Sequence, residues 1–399
     1  MTQQGGLAML QTLLDNLMPG KSAMGMEITD EQVKLCEVEL DSGKKIRVIG
    51  YAGGHLPEGT VMDGRVKQPA VLEQAIRDLL ELNNWSTKRV HLAIPTQTVL
   101  VKTIKLPDVP DKQLDKLIRY ELGHNVSLPF EHPYYDYTRI RSIPTAASTA
   151  AAEFALAAEL AAGTTANWRT GLARLGLGRK PFAAAPLMAA AAEPTETPLC
   201  EVLLVAAPME ILQEYAGLFE RLKLRAASFE IKPFALLRLQ EKIVGGEADS
   251  LIFLDVNRTN SEMTIVEDGV FRITRNVEIP FAESPLSPAS GHTVADNDAA
   301  MATLDEERLF ENACQDLLAE YERLLNFYRY TLGNRDRDFP AIVLSGSLQQ
   351  MDKLQDYLAA RLTQKIITFG GSERLKRRSA TIDISAYAVP IGLALRGKH

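Results

Sequence analysis

The sequence predicts an α/β protein of two related lobes that face each other across a cleft, with a small β-α-β-β-α subdomain inserted into the first lobe. Three observations lead there. One pattern occurs twice, at residues 24–51 and 251–279: a short apolar strand carrying a carboxylate, a polar turn, then a hairpin. In the first copy the strand is Met26-Glu27-Ile28 and the hairpin turns at Asp41-Ser42-Gly43; in the second they are Leu254-Asp255-Val256 and Glu267-Asp268-Gly269. Glu27 and Asp255 hold the same place in the two copies, and self-similarity of this kind constrains the whole fold. The third observation is the order of segments across 97–224, strand, helix, two strands and helix, which makes a compact antiparallel sheet with helices on one face.

The elements follow in order. Residues 1–20 place Leu7, Leu10, Leu14, Leu17 and Met18 at helical spacing and stop at Pro19-Gly20, which makes an amphipathic N-terminal tail. It carries no basic residue, so docking on protein is expected before docking on lipid. The first lobe starts at 21–96, with its hairpin, a helix over 68–85 turning Val71, Ile76, Leu79, Leu80 and Leu82 inward, and a strand at 90–94 stopped by Pro95. The inserted subdomain, 97–224, has strands at 99–106, 135–141 and 201–206 and helices at 112–122 and 210–222. An alanine-rich stretch at 145–198, broken by Pro181, Pro186 and Pro194, reads as a loosely attached insertion with one helix at 146–162. A strand at 226–231 and a helix at 234–239 return the chain to the first lobe over 225–245.

The second lobe is 246–399. A stretch at 281–304, rich in Pro, Ser, Gly, Asn and Asp, reads as a loop. The strongest helical pattern of the chain follows, with Phe310, Ala313, Cys314, Leu317, Leu318, Tyr321, Leu324, Leu325 and Tyr328 recurring every three or four residues. A strand at 341–344 runs into Ser345-Gly346-Ser347, then come a helix at 351–362, a strand at 365–369 and a helix at 386–395.

Composition narrows the function classes. The 399 residues, 46% hydrophobic and 24% charged, suit a globular protein of two or three domains, and a net charge of -7 argues against a general nucleic-acid binder. The basic run of Arg374, Lys376, Arg377 and Arg378 reads as a solvated loop. No stretch approaches the roughly 20 apolar residues that span a bilayer, and no secretory leader pattern opens the chain, so the expectation is a cytoplasmic protein. Cys36, Cys200 and Cys314 sit in apolar segments, as reduced core cysteines do. The six histidines are scattered without metal-ligand spacing, and no nucleophile-elbow, Walker or dinucleotide motif is present.

Two duplicated lobes with strand-end carboxylates are the arrangement of the actin-like (ribonuclease H-like) ATPase fold, in which each lobe offers a turn to the phosphates and a carboxylate to the metal. The segment order also resembles the PilM family of type IV pilus assembly proteins, itself similar to FtsA. The residues that carry the resemblance include Val101-Lys102-Thr103-Ile104-Lys105-Leu106-Pro107, Ser127-Leu128-Pro129-Phe130, Tyr135-Asp136-Tyr137 and Val202-Leu203-Leu204-Val205-Ala206-Ala207-Pro208. Ile231-Lys232-Pro233-Phe234-Ala235-Leu236-Leu237-Arg238, Leu325-Asn326-Phe327-Tyr328-Arg329 and the C-terminal stretch 388–397 complete it. The departures fall on the nucleotide site. Both turns lack the glycines that let a backbone approach phosphate, reading Ile28-Thr29-Asp30 after Glu27 and Val256-Asn257-Arg258 after Asp255. A Gly-Gly of the adenosine region is replaced by Ser345-Gly346-Ser347-Leu348, and the loop at 281–304 stands where a subdomain would cover the adenine.

The resemblance therefore implies a scaffold with a degenerate nucleotide site. It would be a cytoplasmic protein held at the inner membrane by binding the cytoplasmic tail of a PilN-like membrane protein, alongside other pilus assembly proteins, with self-association left open. Residues 99–106 and 202–208 are the candidate walls of the tail-binding groove. The alternative is an ATP-binding or hydrolysing member whose nucleotide state controls partner binding. In that case Glu27, Thr29, Asp30, Asp255, Asn257, Thr259, Gly346 and Ser347 would line the ATP site, and Glu27 and Asp255 would hold Mg2+. A sugar or acetate kinase of the same fold is a third option. No catalytic base is identified, and the missing glycines favour the scaffold with no cofactor.

Overall fold

The computed structural model describes residues 22–40, 45–143, 198–243, 249–281, 296–371, 375–377 and 382–396. The expected tail at 1–20, the turn at 41–43 and nearly all of the alanine-rich stretch at 145–198 lie outside the described residues. The described chain divides into two compact units, one drawn from residues 1–100, 132–134 and 206–399, the other from 101–131 and 135–205.

In chain order the first elements are β1 (Ser22–Ile28), β2 (Gln32–Leu40), β3 (Ile46–His55), the short pair β4 (Val61–Met62) and β5 (Arg65–Val66), α1 (Pro69–Glu81) and β6 (Arg89–Ile94). Next come β7 (Leu100–Pro107), α2 (Asp111–His124), β8 (Pro133–Ile143), β9 (Leu199–Pro208), α3 (Met209–Arg221), β10 (Arg225–Ile231) and α4 (Lys232–Ile243). The last are β11 (Leu251–Val256), β12 (Asn260–Glu267), β13 (Val270–Glu278), α5 (Asp296–Asn326), β14 (Ala341–Ser345), α6 (Met351–Ala359), β15 (Lys365–Thr368), β16 (Leu375–Arg377) and α7 (Ala388–Ala394).

The larger unit holds two sheets of one topology. The first runs β10-β6-β1-β2-β3-β16 and the second β15-β14-β11-β12-β13. In each, the strand bearing the repeat carboxylate pairs antiparallel with the next strand in sequence and parallel with a later one, β1 with β2 and β6, β11 with β12 and β14. Strands buried on both faces need apolar residues at nearly every position. β1 and β11 meet that condition, with only Ser22 less than buried between them. Helices α4 and α7 share one core with both sheets, in which Ala23, Val48, Leu236, Phe253, Val343 and Ile391 meet. Helix α5 lays Phe310, Cys314, Leu317 and Tyr321 on the other face of the second sheet, and Tyr328, just beyond its end, joins them.

Helix α7 reaches its place through two glycines. A Cβ on Gly25 of β1 would lie 1.9 Å from the carbonyl oxygen of Pro390, and one on Gly392 would lie 2.0 Å from that of Ala235 in α4. The smaller unit centres on the sheet β7-β9-β8, with Leu106, Cys200, Val202 and Leu204 buried, and α2 buries Leu114 and Ile118.

Several boundaries differ from expectation. The helix expected at 68–85 ends at Glu81, and Leu82 is exposed, because no core remains to cover the turn beyond Leu79. Of the stretch expected to be a loop at 281–304, residues 282–295 lie outside the described residues, and the chain is helical from Asp296, where alanines replace Pro, Ser and Gly. Within the basic run, Leu375–Arg377 is a strand pairing with β3 in parallel, its backbone capping the edge of the first sheet. All three cysteines are buried and free, as expected.

Candidate functional site

The repeat brings its two carboxylates to one place. Glu27 ends β1 and Asp255 ends β11, and a ligand site at the carboxyl ends of such strands is where open α/β sheets bind. Seven residues after each carboxylate the returning strand carries its cross-strand partner, Lys34 opposite Glu27 and Glu262 opposite Asp255. Strand β10 runs into α4 without a loop, and the first residue of that helix is Lys232. All five side chains belong to residues between 2% and 9% exposed, so their charges must be answered locally.

Lys232 answers them. Its Nζ lies 3.1 Å from Glu27 Oε1 and 3.3 Å from Asp255 Oδ2, so one ammonium joins the carboxylates of the two sheets. Lys34 Nζ stands 3.7 Å from Glu27 Oε2 and donates to the carbonyl of Ala386 at 2.7 Å. Asp255 accepts from Ser345 Oγ at 2.9 Å on Oδ1 and from Asn257 Nδ2 at 3.2 Å on Oδ2. Burial alone would push the Lys232 ammonium down, but Glu27, Asp255 and Glu262 outweigh it and hold its pKa well above the usual lysine range. Burial opposes the Asp255 carboxylate too, and Lys232, Lys34 and the two hydrogen bonds reverse it, holding Asp255 below its ordinary value. For Glu262 burial prevails over Lys232, and its pKa is raised. A buried network survives only when its remaining lone pairs and protons find partners, and here they do.

The turns after the two carboxylates are closed on themselves and on each other. Thr29 N donates to Gln32 O at 2.9 Å, and the amides of Glu31 and Gln32 donate to Thr29 Oγ1 at 3.4 and 3.1 Å. Across the cleft, the hydroxyl of Thr259 donates to Glu31, and Arg258 Nη2 lies 3.2 Å from the same carboxylate. Gln32 Nε2 donates to Ser347 Oγ at 2.5 Å, and Ser347 Oγ donates to Asn257 Oδ1 at 2.8 Å. Gly346 is the one glycine of the set, at φ +114°, and a Cβ there would lie 2.0 Å from the carbonyl oxygen of Val256. Its freedom serves the packing of the strand-end turn against β11.

Beside the clasp lies a cavity of about 540 Å³, walled by residues of both sheets. Asp30, Asp63, Glu262 and Glu278 line it, and Lys232 is the one cationic side chain among the described lining residues. Asp30 faces its wall, accepting from the amides of Asp63 and Gly64 at 2.8 and 3.0 Å.

Of the residues expected at an ATP site, Glu27, Asp255, Asn257 and Ser347 come together in the buried network and its clasp, with Gly346 beside them. Thr29 is turned into its own turn, Thr259 toward Glu31, and Asp30 toward the turn at 63–64. A magnesium nucleotide needs carboxylates with free lone pairs and backbone amides aimed at phosphate. Here an ammonium bridges the carboxylates, three turn amides are occupied within the turn, and the cavity would repel a polyphosphate. The residues present do not fit that group. The residues that sequence reasoning missed are Lys34, Glu262, Lys232, Glu31 and Gln32. The shared seven-residue spacing in the two repeats would have pointed to the first two.

Comparisons with known proteins agree with this architecture. Residues 25–160 match the family model described as type IV pilus assembly protein PilM. No curated protein matches the chain significantly. Among solved structures, the chain is similar to the PilM-PilN type IV pilus biogenesis complex at 20% identity, covering 94% of this chain and 98% of that one, with a TM-score of 0.64. It is also similar to the ethanolamine utilization protein EutJ from Carboxydothermus hydrogenoformans, at 11% identity over 98% of each chain and a TM-score of 0.46. MreB5 of Spiroplasma citri bound to ADP matches at 8% identity over 94% of this chain and 95% of that one, with a TM-score of 0.39. The duplicated sheets and the first of these structures show an actin-like ATPase fold, and the chain is PilM-like over the matched residues.

Proposed function

We propose that this protein is a scaffold of type IV pilus, or related secretion, assembly that binds the cytoplasmic N-terminal tail of a PilN-like inner-membrane protein. The observation that carries the reading is the PilM match over residues 25–160, a stretch that includes β7 and β8. The solved PilM-PilN complex supports the choice of partner. No helix among the described residues is long and apolar enough to cross a membrane; in this reading the PilN-like partner brings the protein to the inner membrane.

An extended tail binds well to the edge of a sheet, where main-chain hydrogen bonds give affinity and alternate side chains fill pockets. β7 stands at the end of the sheet β7-β9-β8, and its Val101 and Ile104 are only partly buried. These residues, with the half-buried Leu203 and Val205 on the neighbouring strand β9, are the tail-binding surface in this reading.

The test is fluorescence anisotropy with a labelled peptide copying the N-terminal cytoplasmic segment of the PilN-like protein from the same genome. Saturable binding is expected. Val101→Asp with Ile104→Asp should weaken it at least tenfold, about 1.4 kcal/mol, with an unchanged melting temperature. Absence of binding by the wild-type protein would sink the proposal.

A further inference from the structure

We infer that Lys232 stands in for the divalent cation of an actin-like cleft, and that the two turns, clasped to each other, hold the cleft closed without nucleotide. The inference is independent of which partner the protein binds. It follows from where the charges and the turn donors already go.

Glu27 and Asp255 are the two carboxylates that the fold would devote to a metal, one from each sheet. Between them lies the Lys232 ammonium, 3.1 and 3.3 Å from an oxygen of each. A divalent ion drawn to the same oxygens would meet that ammonium as a like charge at contact distance, in a buried setting where repulsion is poorly screened. The backbone of the lysine is set by α4, which it opens directly after β10, so its ammonium could leave the carboxylates only by turning into the cavity it lines, away from both ion pairs. Removing the ammonium would leave the two buried carboxylates with Lys34, 3.7 Å from Glu27, as the remaining cation beside them, one positive charge short of balance, the condition that invites a metal.

The second observation is mechanical. In this fold the turns after the two carboxylates face the phosphates. Here the turn of the first sheet holds that of the second through Thr259 to Glu31 and Arg258 to Glu31 at 3.2 Å, and holds the turn after β14 through Gln32 to Ser347 at 2.5 Å. Ser347 passes the contact on to Asn257 at 2.8 Å. Glu31 is joined directly to the second turn, and Gln32 reaches it through Ser347 and Asn257, so the chain of hydrogen bonds runs from sheet to sheet. A nucleotide would have to break these links and gain amides already bonded within the turn at Thr29, Glu31 and Gln32.

The experiment uses the full chain. Free Mn2+ is followed by electron paramagnetic resonance during titration of wild-type protein and of Lys232→Ala, with melting temperatures recorded with and without millimolar Mn2+ and Mg2+-ATP. The wild type should show neither saturable Mn2+ uptake nor a nucleotide-dependent rise in melting temperature. Lys232→Ala should melt lower, take up one Mn2+ per chain and regain stability when the ion is present but not with added Na+. Wild-type uptake that disappears in Asp255→Asn, or a folded Lys232→Ala that takes up no Mn2+, would overturn the stand-in role. Should Lys232→Ala fail to fold, hydrogen exchange on the double variant Glu31→Ala, Gln32→Ala decides the closed state. Exchange at 257–261, in the opposite sheet, should speed up at least tenfold, and unchanged exchange there refutes the clasp.

Discussion

Lys34 lies in Val33-Lys34-Leu35, an alternation that reads as a half-exposed strand, yet its ammonium is buried opposite Glu27. Alternation marks the solvent face only when one face of a sheet is open, and β2 is buried on both sides along most of its length. Lys34→Ala leaves Glu27 its closer ammonium, Lys232, but strips the Ala386 carbonyl of its donor, so the variant should lose about 1–3 kcal/mol in urea unfolding. His91 gives a second residue-level prediction. Burial pushes it down to about 4, with Glu230 opposing and Arg396 assisting, and its Nδ1 lies 2.7 Å from Ser228 Oγ. The unfolded chain, titrating near 6.5, binds more protons between those values, so the contribution of a neutral His91 is full above about pH 6.5 and is lost as pH falls through 4. The loss amounts to about 3 kcal/mol by pH 4. Melting temperature against pH should therefore fall less steeply from 7 to 4 in His91→Asn than in the wild type.

At the scale of elements, the strands of the repeat and the helix carrying Phe310 to Tyr328 were legible because their signals are local: a carboxylate at a strand end, a turn residue, an apolar stripe of helical period. β16 was not legible. It forms by pairing Leu375–Arg377 with Ile46 to Val48, and a backbone pairing between such distant segments leaves no mark in side-chain pattern. The candidate site divides along the same line. Glu27 and Asp255 could be found from the repeat, whereas Lys232 sits in an apolar stretch whose charge gains meaning only when both sheets are assembled around it. Helix α7 shows how closely distant segments can fit. Gly25→Ala would press a methyl group against the Pro390 carbonyl, and because that neighbour is backbone, the helix itself would have to move. Overpacking of this kind costs about 1–3 kcal/mol, and the variant should unfold at correspondingly lower urea than a control such as Gly123→Ala, where a Cβ meets nothing within 4 Å.

For the larger unit as a whole, a single core joins the two sheets through α4 and α7, with Phe253 from β11 among its fully buried residues. Lobes that share a core unfold together. Phe253→Ala should cost about 3–5 kcal/mol, and hydrogen exchange should accelerate to a similar degree in β1 and in β11; acceleration confined to β11 would mean that the lobes open separately. The same arrangement has a consequence in time. Lys34 donates to the carbonyl of Ala386, 352 residues further along the chain. A ribosome adding about 5–20 residues each second needs about 20–70 s to make that stretch. Through that interval the earliest strands wait on the ribosome with their apolar face uncovered, and it is the arrival of the final helix that lets the first lobe finish folding.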